Sequence, residues 1–366
     1  MILQKLKNLN YLLIFLLILL SFIGAAGLYS AADGSYQPWA SRHLIRFYVF
    51  LLMAIVISII DLKLIYKYCY FLFIISLLLL ISVEVIGVLG KGATRWIRIF
   101  GLSIQPSELV KITIILALAK FYNDIKFENI KKISYLFFPF LILITPFIFV
   151  VIQPDLGTSL SIIMLGIFIL FFVGIRLWKF ILGFIATVIS IPILLQFIKP
   201  YQRERIISFL NPESDPLGHG YQLIQSKIAL GSGGATGKGF LQGTQSYLEY
   251  LPEKQTDFIF TLIGEEFGFL GTIFIISLFV LLIAVCYFIS IKCFHSFGKI
   301  LALGVASNIF IYVFMNVAMV SGLMPVVGIP LPLISYGGSV MLSIMISMGL
   351  ILNVDLNYNL RKLNNA

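Results

Sequence analysis

Charge is scarce in this sequence. Only 11% of its 366 residues are Asp, Glu, Lys or Arg, whereas 60% are hydrophobic; an ordinary soluble domain carries roughly a quarter charged residues. A water-soluble fold could not cover so much apolar surface. Cysteine is nearly absent, and Cys69, Cys286 and Cys293 show no CxxC or Cys/His spacing. That argues against a disulfide framework and a thiolate zinc site, and reads as small buried hydrophobes. The three histidines, His43, His219 and His295, are too scattered to build a metal cluster or a Ser/His/Asp set. No internal repeat is evident, which weighs against a transporter made of inverted halves. The short-period alternation of outer-membrane strands is missing as well.

What remains is a series of apolar runs, each about 20 residues, long enough for a helix to cross a hydrocarbon core of roughly 30 Å. The mean hydropathy is +1.03. The pattern predicts an all-α polytopic membrane protein with about ten transmembrane helices, near 11–31, 45–61, 66–88, 107–122, 134–152, 156–174, 177–197, 259–291, 300–321 and 334–353. Residues 1–366 then form a single transmembrane domain. The first run, Tyr11 to Leu28, resembles a secretory signal with Lys5 and Lys7 before it, but its length and the many later spans favour an uncleaved helix. The eighth run is longer than one crossing requires, which implies tilt or a helical extension.

Basic residues orient the spans. With cytoplasmic termini, the inner segments hold Lys5, Lys7, Lys63, Lys67, Lys120, Lys126, Lys131, Lys132, Arg176, Lys179, Lys292, Lys299, Arg361 and Lys362, 14 of the 26 basic residues. Only four acids share those segments, so the net charge of +10 belongs to the inner face. Topology and attraction to anionic lipid account for the basic pI without nucleic acid. One loop is large, about 198–258, between spans seven and eight, and it faces outward in this scheme; loops of that length are commonly functional.

Asp257 ends this loop beside Thr256, where the eighth span begins. It suits a helix N-cap. It equally suits a general base, a carboxylate at the edge of lipid that a substrate with sugars in water can still reach. Glu84, Glu108, Lys111, Asp155, Glu265 and Glu266 fall within or at the ends of spans, where ionisable groups are costly and so count as functional candidates. Glu108 and Lys111, three apart on one helix face, can pair with each other. Lys111 can alternatively face a diphosphate. Asp155 follows Pro154 at a helix start, where capping is the plain reading. Arg203 and Arg205 in the large loop are either diphosphate ligands or a solvated charge cluster. The glycine run 231–239 is no Walker A, because Ser232 and Gly239 stand where that loop needs Gly and Ser or Thr. A tight turn near headgroups suits it better, with backbone amides that could meet phosphate. Thr94 to Ile99 looks like an interfacial amphipathic segment, with Trp96 at headgroup level and Arg95 and Arg98 reaching for phosphates. Pro325, Pro330, Pro332 and Ser335-Tyr336-Gly337-Gly338 break helix geometry and predict a cavity wall.

Six ordered stretches together resemble one family over nearly the whole chain. They are Gln105-Pro106-Ser107-Glu108-Leu109-Val110-Lys111, Gln153-Pro154-Asp155-Leu156-Gly157-Thr158, Asp215-Pro216-Leu217-Gly218 with Gly220-Tyr221-Gln222, Gly231-Ser232-Gly233-Gly234, Thr256-Asp257-Phe258-Ile259-Phe260 and Ser335-Tyr336-Gly337-Gly338. The chain resembles the SEDS proteins (shape, elongation, division and sporulation). Residues 324–332 and Gly243-Thr244-Gln245-Ser246 are similar to the elongation branch. Gln255 stands where many relatives carry His, which puts a histidine-assisted proton relay in doubt, and Val340 replaces a common Ser.

The resemblance implies a peptidoglycan glycosyltransferase that polymerises lipid II, with Asp257 as catalytic acid residue and a class B penicillin-binding protein as partner in the elongation machinery. Lys111, Glu108, Arg203, Arg205 and Asp155 form the candidate substrate and diphosphate set. Charge on a leaving diphosphate calls for cations, either Lys111 and Arg203 or a divalent ion such as Mg or Mn. No other cofactor is implied. A lipid-linked precursor flippase is the alternative, since one cationic cavity would serve either task.

Overall fold

A computed structural model describes residues 2–90, 93–99, 102–126, 128, 132–194, 200–214, 218–248, 250–251 and 253–364. Asp215-Pro216-Leu217, Pro252 and Lys131 lie outside these. A short helix α1 (Ile2–Lys7) precedes α2 (Tyr11–Ala31), α3 (Trp39–Ile59) and α4 (Leu62–Ile86). Three strands follow, β1 (Val88–Gly90), β2 (Ala93–Ile99) and β3 (Leu102–Ile104), and then α5 (Pro106–Asp124), α6 (Phe137–Ile152), α7 (Leu156–Phe172) and α8 (Leu177–Leu194). The large loop contains α9 (Pro200–Leu210), α10 (His219–Ser232) and the single turn α11 (Thr244–Tyr247). The chain ends with α12 (Ile259–Lys292), α13 (Ser296–Val320) and α14 (Gly338–Asn364).

Each of the ten predicted spans contains a helix, and the molecule is a polytopic helical membrane protein. Seven helices, α2, α3, α4, α6, α12, α13 and α14, are long and apolar enough to cross a membrane. α7 and α8 are shorter apolar helices, and α5 interrupts its apolar face with Glu108, Lys111, Lys120 and Asp124. α13 and α14 are the most enclosed of these spans, while α3, α4 and α6 bury less than a third of their residues. α14 packs on α3, and α13 lies between α12, α5 and α7. Close approach of α3 and α14 depends on Gly349, where a Cβ would stand 2.8 Å from the Ala54 carbonyl oxygen. Small residues permit such crossings where lipid supplies no hydrophobic drive between helices. Beside this crossing the buried Asn353 amide donates to the Ile57 and Ser58 carbonyls, at 3.0 and 3.1 Å. It thereby supplements the backbone bonding at the end of α3, where carbonyls run short of intrahelical donors.

One expectation is corrected. The Thr94 to Ile99 segment is the central strand of an antiparallel sheet in the order β1-β2-β3, with Ile97 opposite Ile104 and Arg98 opposite Ser103. Its β-branched and aromatic residues favour that state. Arg95 does not reach outward for phosphate but donates to the carbonyls of Gln153 (3.0 Å) and Pro154 at the α6–α7 turn.

The long eighth run, expected to tilt or extend, contains a break. Gly268 within α12 has φ 64° and ψ −160°. The break removes helical bonds, and the glycine-rich turn after α10 replaces them. Lys238 and Gly239 donate to the Glu265 and Glu266 carbonyls at 3.0 Å each, and Phe269 and Leu270 donate back to Gly234 and Ala235 at 2.9 and 3.1 Å. The Lys238 and Gly239 amides are therefore committed to protein and do not face phosphate. A Cβ on Gly268 would come within 2.3 Å of the Gly237 nitrogen. Replacing Gly268 by Ala, at a positive φ against backbone, is expected to cost at least about 1–3 kcal/mol. Gly183→Ala, in a helix with nothing within 4 Å, should stay within about 1 kcal/mol of the parent; thermal unfolding in detergent compares the two.

Candidate functional site

The proline-rich segment between α13 and α14, the start of α12, the first turns of α5 and α7, and the small sheet enclose a cavity of about 710 Å³. That is the size range of small-molecule sites, roughly 300–1,000 Å³. Asp257, Glu108, Lys111 and Asp155 all line it, as do Arg95, Arg98 and Tyr312. Four residues singled out from separate parts of the sequence thus converge on one space. Arg203 does not join them: it is exposed on α9 and away from the cavity lining. The Arg205 side chain lies outside the described residues.

Glu108 and Lys111 pair at 2.9 Å across one turn of α5, and both are almost wholly buried. Tyr312 of α13 completes the group, with its hydroxyl bonded to Lys111 Nζ and to Glu108 Oε2. Ser343 of α14 donates to the same carboxylate oxygen at 3.4 Å. Three helices therefore hold one ion pair, and the extra bonds matter because burial of two charges is otherwise costly. Sequence reading omitted Tyr312 and Ser343. Their signal was available as uncharged polar groups inside apolar helices, which the search for ionisable residues passed over.

Asp155 caps α7 through Thr158 N at 3.1 Å, and its second oxygen accepts from Gln105 Nε2 at 2.9 Å. The capping role is present, and the residue lines the cavity as well. At Asp257 the position preceding α12 belongs to Phe258, one residue later than capping by Asp257 requires. The carboxylate points across to the wall made by Gly328, where a Cβ would stand 3.3 Å from Oδ2.

The remaining acids leave the cavity. Glu84 is exposed on α4. Glu265 accepts from Lys238 Nζ (2.7 Å), Thr244 Oγ1 (3.1 Å) and Gln245 N (3.0 Å), and Glu266 accepts from Ser30 Oγ and Leu241 N (3.2 Å). These two buried carboxylates fasten the loop after α10 to α12 and α2. Among the described residues no three His, Cys, Asp or Glu side chains come together as a metal site.

The model of the cell cycle protein family that includes FtsW, RodA and SpoVE matches residues 5–360. The chain belongs to this family. Among its relatives, the peptidoglycan glycosyltransferase MrdB of Escherichia coli strain K12 is 43% identical over 287 residues, 78% of this chain and 76% of that one. The fold is similar to a chain solved in work on structural coordination of polymerization and crosslinking by a peptidoglycan synthase complex. That pair has a TM-score of 0.83 at 30% identity, covering 96% of this chain and 98% of the other. It is also similar to the rod shape determining protein RodA of Thermus thermophilus, with a TM-score of 0.71 at 25% identity over 95% and 96% of the two chains. In this FtsW/RodA-family chain the ion pair is a sensitive point. Lys111→Met leaves Glu108 buried and uncompensated and is expected to cost about 3–5 kcal/mol, with most of it regained in the double variant Lys111→Met/Glu108→Gln. Thermal melts of the three proteins in detergent test this.

Proposed function

We propose that this peptidoglycan glycosyltransferase polymerises lipid II at the outer face of the cytoplasmic membrane during cell elongation, with Asp257 as general base. The 4-hydroxyl of the acceptor's N-acetylglucosamine attacks C1 of a lipid-linked N-acetylmuramic acid. As the new C1–O bond forms, the bond to the diphosphate oxygen breaks with inversion, undecaprenyl diphosphate leaves with the bonding electrons, and the hydroxyl proton passes to Asp257. One observation carries this reading: the Asp257 carboxylate and the buried Lys111–Glu108 pair face the same cavity. A base and a cation that line one space suit a reaction that releases both a proton and an anion. Arg95 and Arg98 add positive charge to the same lining. Arg203 and Arg205, on an exposed helix, suit incoming headgroups or the growing strand rather than the reacting diphosphate.

The structural likeness to a chain of a complex that couples polymerization to crosslinking supports a class B penicillin-binding protein as partner. The large loop 198–258 is the outward-facing element in this reading, and both termini are cytoplasmic.

Purified chain in liposomes with labelled lipid II, alone and with the presumed partner, should form a glycan ladder on a gel. Asp257→Asn should slow it by at least about a hundredfold, the scale of general-base catalysis. A ladder formed at parental rate by folded Asp257→Asn rules the base out, and lipid II moving between leaflets without polymer favours the flippase. For orientation, a cysteine placed at Tyr247, which is 63% exposed in the loop, should react in intact cells with a membrane-impermeant maleimide. Labelling only after lysis would reverse the topology.

A further inference from the structure

Three consecutive carbonyls lead into α12, and each accepts a hydrogen bond from the α13–α14 region. Tyr336 N donates to Gln255 O at 2.9 Å, Ser335 Oγ to Thr256 O at 2.6 Å, and Asn316 Nδ2 to Asp257 O at 2.9 Å. The third donor differs in kind, because it is a side chain within a helix. The same Nδ2 also donates to Ile329 O at 2.7 Å. Ile329 follows Gly328, whose backbone forms the wall 3.3 Å from Asp257 Oδ2 when measured to a built Cβ. Both hydrogens of one amide are therefore committed, one to the backbone of Asp257 and one to the wall its carboxylate faces.

The chemistry singles out asparagine. Two carbonyl oxygens need two donors from one direction; a serine brings one and an aspartate none. The two acceptors also fix which amide atom is nitrogen, since the oxygen there would face both carbonyls. Asn316 is fully buried, and its Oδ1 makes no bond among the described residues. A residue present only to fill space would carry no such unpaired oxygen. Tyr312, which holds the Glu108–Lys111 pair, lies one helical turn earlier on the same face of α13.

We infer that Asn316 is a positioning residue for Asp257: its amide fixes the carboxylate relative to the Gly328–Ile329 wall and, through α13, relative to the buried ion pair. The inference rests on Asp257 as the base. Displacement of a reacting group by about 1 Å can cost about a hundredfold in rate, and Asn316 is not among the residues that line the cavity.

The test uses the full chain in liposomes with labelled lipid II. Asn316→Asp removes the donors at nearly the same volume, Asn316→Leu removes them with a larger apolar side chain, and Asn316→Gln keeps them on a longer arm. The first two are expected to lower kcat by about ten- to a hundredfold with KM for lipid II within about threefold, and Asn316→Gln to regain part of the loss. Added to Asp257→Asn, Asn316→Leu should reduce the residual rate by less than about twofold, since it acts through the carboxylate already removed. Thermal melts identify the folded variants, and Asn316→Asp carries the test if Asn316→Leu does not fold. Positioning is overturned, with the base intact, if a folded donor-less variant keeps kcat within about threefold while Asp257→Asn is inactive. It is likewise overturned if Asn316→Leu costs the same factor with and without the Asp257 carboxylate, or raises KM instead of lowering kcat. Asp257→Asn working at parental rate overturns both readings.

Discussion

Backbone that leaves the helix inside an apolar bundle must still bond its amides and carbonyls, because no solvent is at hand to do so. Much of this molecule follows from that constraint. Where α12 breaks at Gly268, a glycine-rich turn from the large loop supplies four backbone bonds. Where the chain enters α12, the carbonyls of Gln255, Thr256 and Asp257 are taken by donors from Tyr336, Ser335 and Asn316. The second of these places borders the cavity, which Thr256, Asp257, Tyr336 and residues 326–330 line.

The cavity's electrostatics rest on the same economy. Lys111 is a cation in surroundings that would not tolerate it alone, and Glu108, Tyr312 and Ser343 make it tolerable from three helices. Two other buried acids, Glu265 and Glu266, serve attachment instead, holding the segment after α10 against the upper part of α12. Glu108 and Lys111 thus face the cavity, while Glu265 and Glu266 fix the loop. α13 carries both Tyr312, which bonds the ion pair, and Asn316, which bonds the Asp257 backbone, one turn apart on its buried face.

Much of this was legible in the residues. Hydropathy located helices, because each needs a run long enough to cross hydrocarbon, and the chemistry of isolated charges in those runs pointed to Glu108, Lys111 and Asp155. Asp257 was marked by its place between a long loop and a span. The small sheet was not legible: Thr94 to Ile99 satisfies both an interfacial helix and a strand, and only its partners Val88–Gly90 and Leu102–Ile104 decide between them. The 34 residues of α12 read as one run since a glycine within a helical pattern does not reveal that it breaks the helix.

What the sequence by itself determined was the class of molecule, its helices, the acids and cations able to do chemistry, and the family they belong to, since these follow from composition and order along the chain. Tertiary structure alone decided which charges share a space. Asp257 faces Gly328, Glu108 meets Tyr312, and Asn316 spans Asp257 and Ile329. Each is a contact between segments far apart in the chain, and hydrogen bonds of about 3 Å depend on how helices cross rather than on which residues neighbour one another.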